Sequence, residues 1–124
     1  NYMSEKLERK PLSNPDETRP FKDNKGMAEI VTVGSITLRR GTFEPGWVWS
    51  EHVKPVAGTH SCLAAHTGYV LQGRMVVKMD DGSEEEFGQG DAFYMPSGHD
   101  AWIVGDEACV LIDVTGFEQY AKPS

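Results

Sequence analysis

Six side chains in this sequence could hold a transition metal or act as nucleophiles: His52, His60, His66 and His99, with Cys62 and Cys109. The four histidines fall within one stretch of the chain, and Cys62 stands among them. Imidazole and thiolate together favour borderline and soft ions over Mg or Ca. Cys109 lies in the apolar run Ala108-Cys109-Val110-Leu111-Ile112 and reads as a small buried hydrophobe. No carboxylate pair, phosphate-binding glycine loop or nucleophile elbow competes with metal chemistry.

Donors this far apart in sequence can meet only if the elements carrying them converge. Short segments rich in Val, Ile, Thr and aromatics, at 29–33, 36–40, 66–72, 74–79, 85–87, 91–95, 101–104 and 109–113, are separated by turn residues such as Glu44-Pro45-Gly46 and Asp80-Asp81-Gly82. This is the signature of antiparallel strands joined by tight turns. About eight such strands in some hundred residues predict an all-β barrel or jelly roll, an architecture that removes exposed edges. Residues 1–27, with Pro11, Pro15 and Pro20 among polar residues, predict an extended arm that docks through Leu12 and Phe21. Residues 28–124 then form a single domain, ending in a short helix over 117–121.

The chain has 124 residues, 39% of them apolar, enough for one core and not for two. Twelve basic residues against nineteen acidic ones, with no basic patch, argue against nucleic acid, and no run is long enough for a membrane helix. The N-terminal residues lack the apolar stretch of a secretory signal, and Met3 reads as the natural start, behind two extra residues. Two irregularly placed cysteines do not make a disulfide scaffold, so a reducing, cytoplasmic setting is expected.

Two further features resemble the cupin superfamily over roughly residues 30–115. Gly90, Pro96 and Gly98 match the second cupin motif, Gly-x5-Pro-x-Gly-x2-His, and Tyr69-Val70-Leu71-Gln72-Gly73 is similar to the end of the first. The resemblance implies a cupin-type jelly-roll β-barrel, usually dimeric, often holding a divalent metal (Zn, Fe, Ni, Mn or Cu) on three His and one Glu. The turn implied by the motif also accounts for Ser97.

The chain departs from that pattern at three places. Ala101 stands at the motif histidine, with His99 one pleat earlier and therefore on the same strand face. His66 stands where many cupins carry the ligating glutamate. The remaining ligands admit two alignments: counting forward from Gly46 selects His52, whereas counting back from His66 reads His60-x-Cys62-x3-His66. The Pro and Gly of residues 54–59 suit the reversal that the forward count needs, while Leu63-Ala64-Ala65 offers no turn residue to the other. The expected ligands are thus His52, His66 and His99, with Cys62 as the fourth, on the His66 strand face if that strand is unbroken, and His60 in reserve.

If His52 points inward from a strand, Trp47 and Trp49 point outward. Two such rings would form an apolar patch, which predicts a homodimer with both in its interface. Tyr69, Phe93 and Trp102 are candidate substrate-binding aromatics. The functional expectation is a metal-dependent cupin acting on a small organic molecule by dioxygenase, isomerase or lyase chemistry, all open by resemblance. The alternative is a non-catalytic ligand-binding or sensing cupin with a structural metal or none.

Overall fold

The computed structural model describes residues 5–115. Among the described residues, nine strands form two antiparallel sheets. They are β1 (Glu17–Pro20), β2 (Gly26–Val33), β3 (Ile36–Phe43), β4 (His66–Gln72), β5 (Arg74–Met79), β6 (Glu84–Gly88), β7 (Ala92–Met95), β8 (His99–Ile103) and β9 (Cys109–Thr115). One sheet runs β1-β2-β3-β9-β4-β7 and the other β6-β5-β8, as a jelly roll requires. The helix expected over 117–121 and the N-terminal residues 1–3 lie outside the described residues.

Side-chain alternation decides what each strand turns inward. On β8, His99, Ala101 and Ile103 are buried between half-buried Asp100 and Trp102; on β9, Cys109, Leu111 and Asp113 are buried in the same rhythm. Cys109 is fully buried, as expected for a small hydrophobe, and that burial pushes its thiol up to about 11. Val70, Met75, Val77, Phe93 and Leu111 fill the space between the sheets.

All eight expected strands are present, and the arm contributes a ninth. Residues 17–20 pair with β2 at the sheet edge, where the missing N–H of Pro20 costs little. Phe21 follows and stacks on Phe43 with ring centroids 5.2 Å apart, while Leu12, the other expected anchor, is half-buried.

The segment after Phe43 corrects the sequence reading. It is helical rather than extended: α1 (Trp49–His52) and α2 (Lys54–Ala57) are single turns, the second with Pro55 in its first turn and closed by Gly58 in the left-handed region. Three residues apart on α1, Trp49 and His52 share its buried face. Trp47 and Trp49 are 3% and 5% exposed and belong to the core, so the apolar patch inferred from strand alternation does not exist. Trp47 instead meets Phe43 edge-on at 4.6 Å. The segment is fastened to β8 by an isolated bridge between Val48 and Trp102 and by the Ser50 N–H donating to Asp100 Oδ1 at 3.1 Å.

Candidate metal centre

Three chain segments deliver three donors to one end of the space between the sheets. His66 begins β4, His99 begins β8, and Cys62 sits in a short bridge that pairs it with His99. The Cys62 N–H donates to the His99 carbonyl, and the Gly98 N–H to the Cys62 carbonyl, each at 2.7 Å, fixing Sγ beside the His99 ring. Ser61, itself buried, donates its hydroxyl to Asp80 Oδ2 at 3.0 Å, and the Asp80 N–H bonds the Gly98 carbonyl at 2.9 Å. The Pro96-Ser97-Gly98 corner, the β5 turn and the Cys62 segment are thereby tied together.

The donor atoms of Cys62, His66 and His99 all lie within 4.8 Å of one another. His66 Nε2 is 3.7 Å from Cys62 Sγ. Metal bonds of about 2.3 Å to sulfur and about 2.05 Å to nitrogen, at tetrahedral to trigonal angles, place two such donors about 3.6–3.8 Å apart. The rings of His66 and His99 are edge-to-face at 5.6 Å.

Both imidazoles are oriented from behind. His66 Nδ1 donates to Asp113 Oδ2 at 3.2 Å, and His99 Nδ1 donates to the Pro96 carbonyl at 2.7 Å. With Nδ1 occupied on each ring, Nε2 is the atom left for a metal, the arrangement that metal-bound histidines usually show. Asp113 is buried, and its Oδ1 lies 2.7 Å from Arg39 Nε, so an Arg39–Asp113–His66 relay crosses β3, β9 and β4.

Without an ion the same contacts set the protonation of the pair. Burial acts to lower the His66 imidazolium, but the Asp113 carboxylate and the Cys62 sulfur outweigh it and raise the ring to about 9. Burial pushes the Cys62 thiol up, and hydrogen bonds from His66 and His99 pull it further down, to about 6. At neutral pH the pair is a thiolate facing an imidazolium.

The other sequence candidates lie elsewhere. His52 is buried on α1, where the Val48 N–H donates to its Nδ1 at 3.0 Å, and it is not part of the three-residue group; helical winding from residue 49 carries it away from the strand position assumed for it. His60 is exposed and lines a shallow hollow with Lys54 and Thr59. Cys62 and His66 meet although no strand joins them, because residues 63–65 are irregular and turn the chain without a turn residue. The spacing of the backward alignment is therefore realised for Cys62 and His66, and not for His60.

A cleft of about 480 Å³ opens between β6 and β7, each an edge strand of its sheet, and is walled by Val77, Met79, Phe87 and Met95, with exposed Glu85 and Tyr94. It adjoins the three-donor group, since Met79 pairs with His99 and Met95 with His66 across neighbouring strands. Neither Tyr69, Phe93 nor Trp102 lines it. Tyr69 is on the outer face of β4, 47% exposed; Trp102 faces away from His99; Phe93 is core and reaches the cleft only through Phe87, 5.8 Å away. Sequence reasoning passed over Asp113 and Arg39. The signal for Asp113 was the alternation of residues 109–113, which sets a carboxylate on the face of Cys109 and Leu111.

A jelly roll carrying metal-type donors at one end is the class of protein that fold and site define. A sequence model described as Cupin domain matches residues 40–115, and the chain belongs to the cupin family. No curated protein sequence matches the chain. Among solved structures, a protein of unknown function from Rhizobium leguminosarum superposes with a TM-score of 0.62 at 21% identity, covering 90% of this chain and 97% of that one. The polyketide cyclase RemF from Streptomyces resistomycificus gives 0.59 at 20% identity, over 88% and 78%. KdgF from a Halomonas species gives 0.52 at 22%, over 77% and 84%. Likeness at these identities establishes the shared fold. No helix among the described residues is long and apolar enough to cross a membrane.

Proposed function

We propose that the protein is a metal-dependent cupin in which Cys62, His66 and His99 hold a divalent transition metal beside a cleft that admits a small organic molecule. The observation that carries this reading is the pair of Nδ1 hydrogen bonds, to Asp113 and to Pro96, which present two Nε2 atoms to the same point as the Cys62 sulfur. Three protein donors leave a coordination position for substrate or water, which favours catalysis over a closed structural site. When bound, the ion supplies Lewis acidity or oxygen activation to a molecule in the cleft. Asp113 holds the His66 tautomer, and Met79, Met95 and Phe87 give the cleft an apolar wall beside its acidic one of Glu84, Glu85 and Asp91. Dioxygenase, isomerase and lyase reactions all suit such a centre. A reducing cytoplasm would keep Cys62, a free thiol, available as a ligand. Dimerisation would use a face other than Trp47 and Trp49, and the exposed Tyr69, Leu71 and Tyr94 of β4 and β7 offer one.

The test is metal titration of chelator-stripped protein, followed by elemental analysis. One equivalent should bind at pH 7 and release about one proton, because His66 near 9 must surrender its proton while Cys62 near 6 has already lost its own. Release should fall toward zero above pH 9, and affinity should rise with pH up to that point. Calorimetry in buffers of different ionisation enthalpy counts the proton. A protein that binds no metal at any pH ends this reading.

Asp113→Asn keeps the side chain's shape and removes its charge. Metal affinity is expected to fall about 10–100-fold, as for other partners of ligating histidines. Competition against a chelator of known affinity measures it, and unchanged affinity would show that the relay does not orient His66.

A further inference from the structure

Alternation along β6 puts one carboxylate where the fold calls for an apolar side chain. Phe87 points between the sheets and meets Phe93 at 5.8 Å, and its register partner on β5, Met75, is buried. Glu85, two residues before Phe87, shares that inward face, and its own partner, Val77, is 4% exposed. Glu85 therefore opens into the cleft between β6 and β7, among Val77, Met79, Phe87 and Met95.

The neighbouring acidic groups are accounted for without a ligand. Glu84 and Glu86 take the outer face of β6, Glu84 opposite exposed Lys78, and Glu86 with its Oε2 3.4 Å from Arg74 Nη1. Asp91 accepts the Gly88 N–H at 2.8 Å in the turn that follows. The Glu85 carboxylate has neither an ion pair nor a hydrogen bond among the described residues, and no Lys, Arg or His lines the cleft. A charge beside an apolar wall attracts a counter-charge more strongly than one on open surface, because the wall excludes water from one side and focuses the field. A neutral ligand gains no ion pair from Glu85, and an anion is repelled by it. The cleft, about 480 Å³, also falls within the range of about 300–1,000 Å³ that small-molecule sites occupy.

We propose that the cleft selects an organic ammonium compound, whose charge pairs with Glu85 and whose hydrocarbon body lies on Val77, Met79, Phe87 and Met95. The body of such a molecule leads toward the three donors, since Met79 pairs with His99 and Met95 with His66 in the sheet registers. The proposal rests on the reading of the cleft as the ligand site and adds the charge class of the ligand and the residue that sets it.

The experiment titrates metal-free protein at pH 7 with three probes of one chain length, hexylammonium chloride, hexan-1-ol and sodium hexanoate, and follows the methyl resonances of Met79 and Met95. Hexylammonium should shift both and bind about tenfold tighter than hexan-1-ol, the scale of one hydrogen bond to a charged group. Hexanoate should bind more weakly than either. Glu85→Gln should bring hexylammonium to the level of hexan-1-ol and leave the alcohol unchanged, whereas Glu84→Gln, on the outer face, should change neither. Equal affinity for ammonium and alcohol in the parent protein, tighter binding of hexanoate, or no shift of either methionine overturns the proposal, whether or not the variants fold. An equal loss in Glu84→Gln and Glu85→Gln also overturns it, because the net charge of −7 rather than Glu85 would then be the attraction. Metal titration of the same samples is scored separately. One bound equivalent without ammonium preference overturns the ligand class and leaves the metal reading standing, and ammonium preference without metal binding does the reverse.

Discussion

Alanine at His99 is expected to abolish stoichiometric metal binding, weakening affinity by well over about 100-fold, since loss of an orienting partner alone costs about 10–100-fold. His99 is 3% exposed and its Nδ1 is fixed on the Pro96 carbonyl, so its Nε2 is a pre-oriented donor that alanine cannot supply. The bridge that seats Cys62 is made by backbone groups of residues 98 and 99 and survives the substitution. His66→Ala should act alike. His52→Ala is the informative control: it removes a buried imidazole from α1 and should lower stability, yet leave metal content intact. Elemental analysis after gel filtration, with a folding check by circular dichroism, measures all three. Full metal content in both His66→Ala and His99→Ala would remove these residues from the centre.

The architecture was legible because its determinants are local. Alternation over five to eight residues and turn chemistry at Asp81-Gly82 or Pro96-Ser97-Gly98 need no knowledge of distant contacts. His99 could be placed on the inward face of its strand for the same reason: positions 99, 101 and 103 alternate together whatever the rest of the chain does. The error lay between residues 47 and 58, where Trp47, Val48 and Trp49 have strand-like side chains and fold as the approach to a helical turn. Tertiary burial of two indoles overrode β propensity there, and with the period changed from 2 to 3.6, every facing derived from it changed as well. The relay through Asp113 and Arg39 was invisible for another reason. It joins residues of β3, β9 and β4, and the 47-residue separation between His66 and Asp113 carries no spacing signal. The meeting of Cys62 with His66 depended on an irregular turn at 63–65 that no turn residue announces.

The close approach of β4 to β9 leaves no room for a side chain at residue 68, and Gly68→Ala is expected to be strongly destabilising. Gly68 stands between Asp113 on β9 and Phe93 on β7 in the sheet register. A Cβ there would collide with the Ile112 carbonyl oxygen and come within 2.8 Å of Asp113 Cα. Those atoms are backbone and cannot rotate aside, so the strands must part or slip, at a cost of about 3 kcal/mol or more. The slip would also reach the centre. His66 lies two residues from Gly68 on the same face, and its Nδ1 reaches Asp113 only because β4 and β9 pack this closely. Denaturation should therefore show a lower midpoint, and the surviving folded protein should bind metal more weakly than Asp113→Asn does, because the whole register moves rather than one charge. Wild-type stability in Gly68→Ala would mean that β4 and β9 are farther apart than described, and the Arg39–Asp113–His66 relay would fail with them.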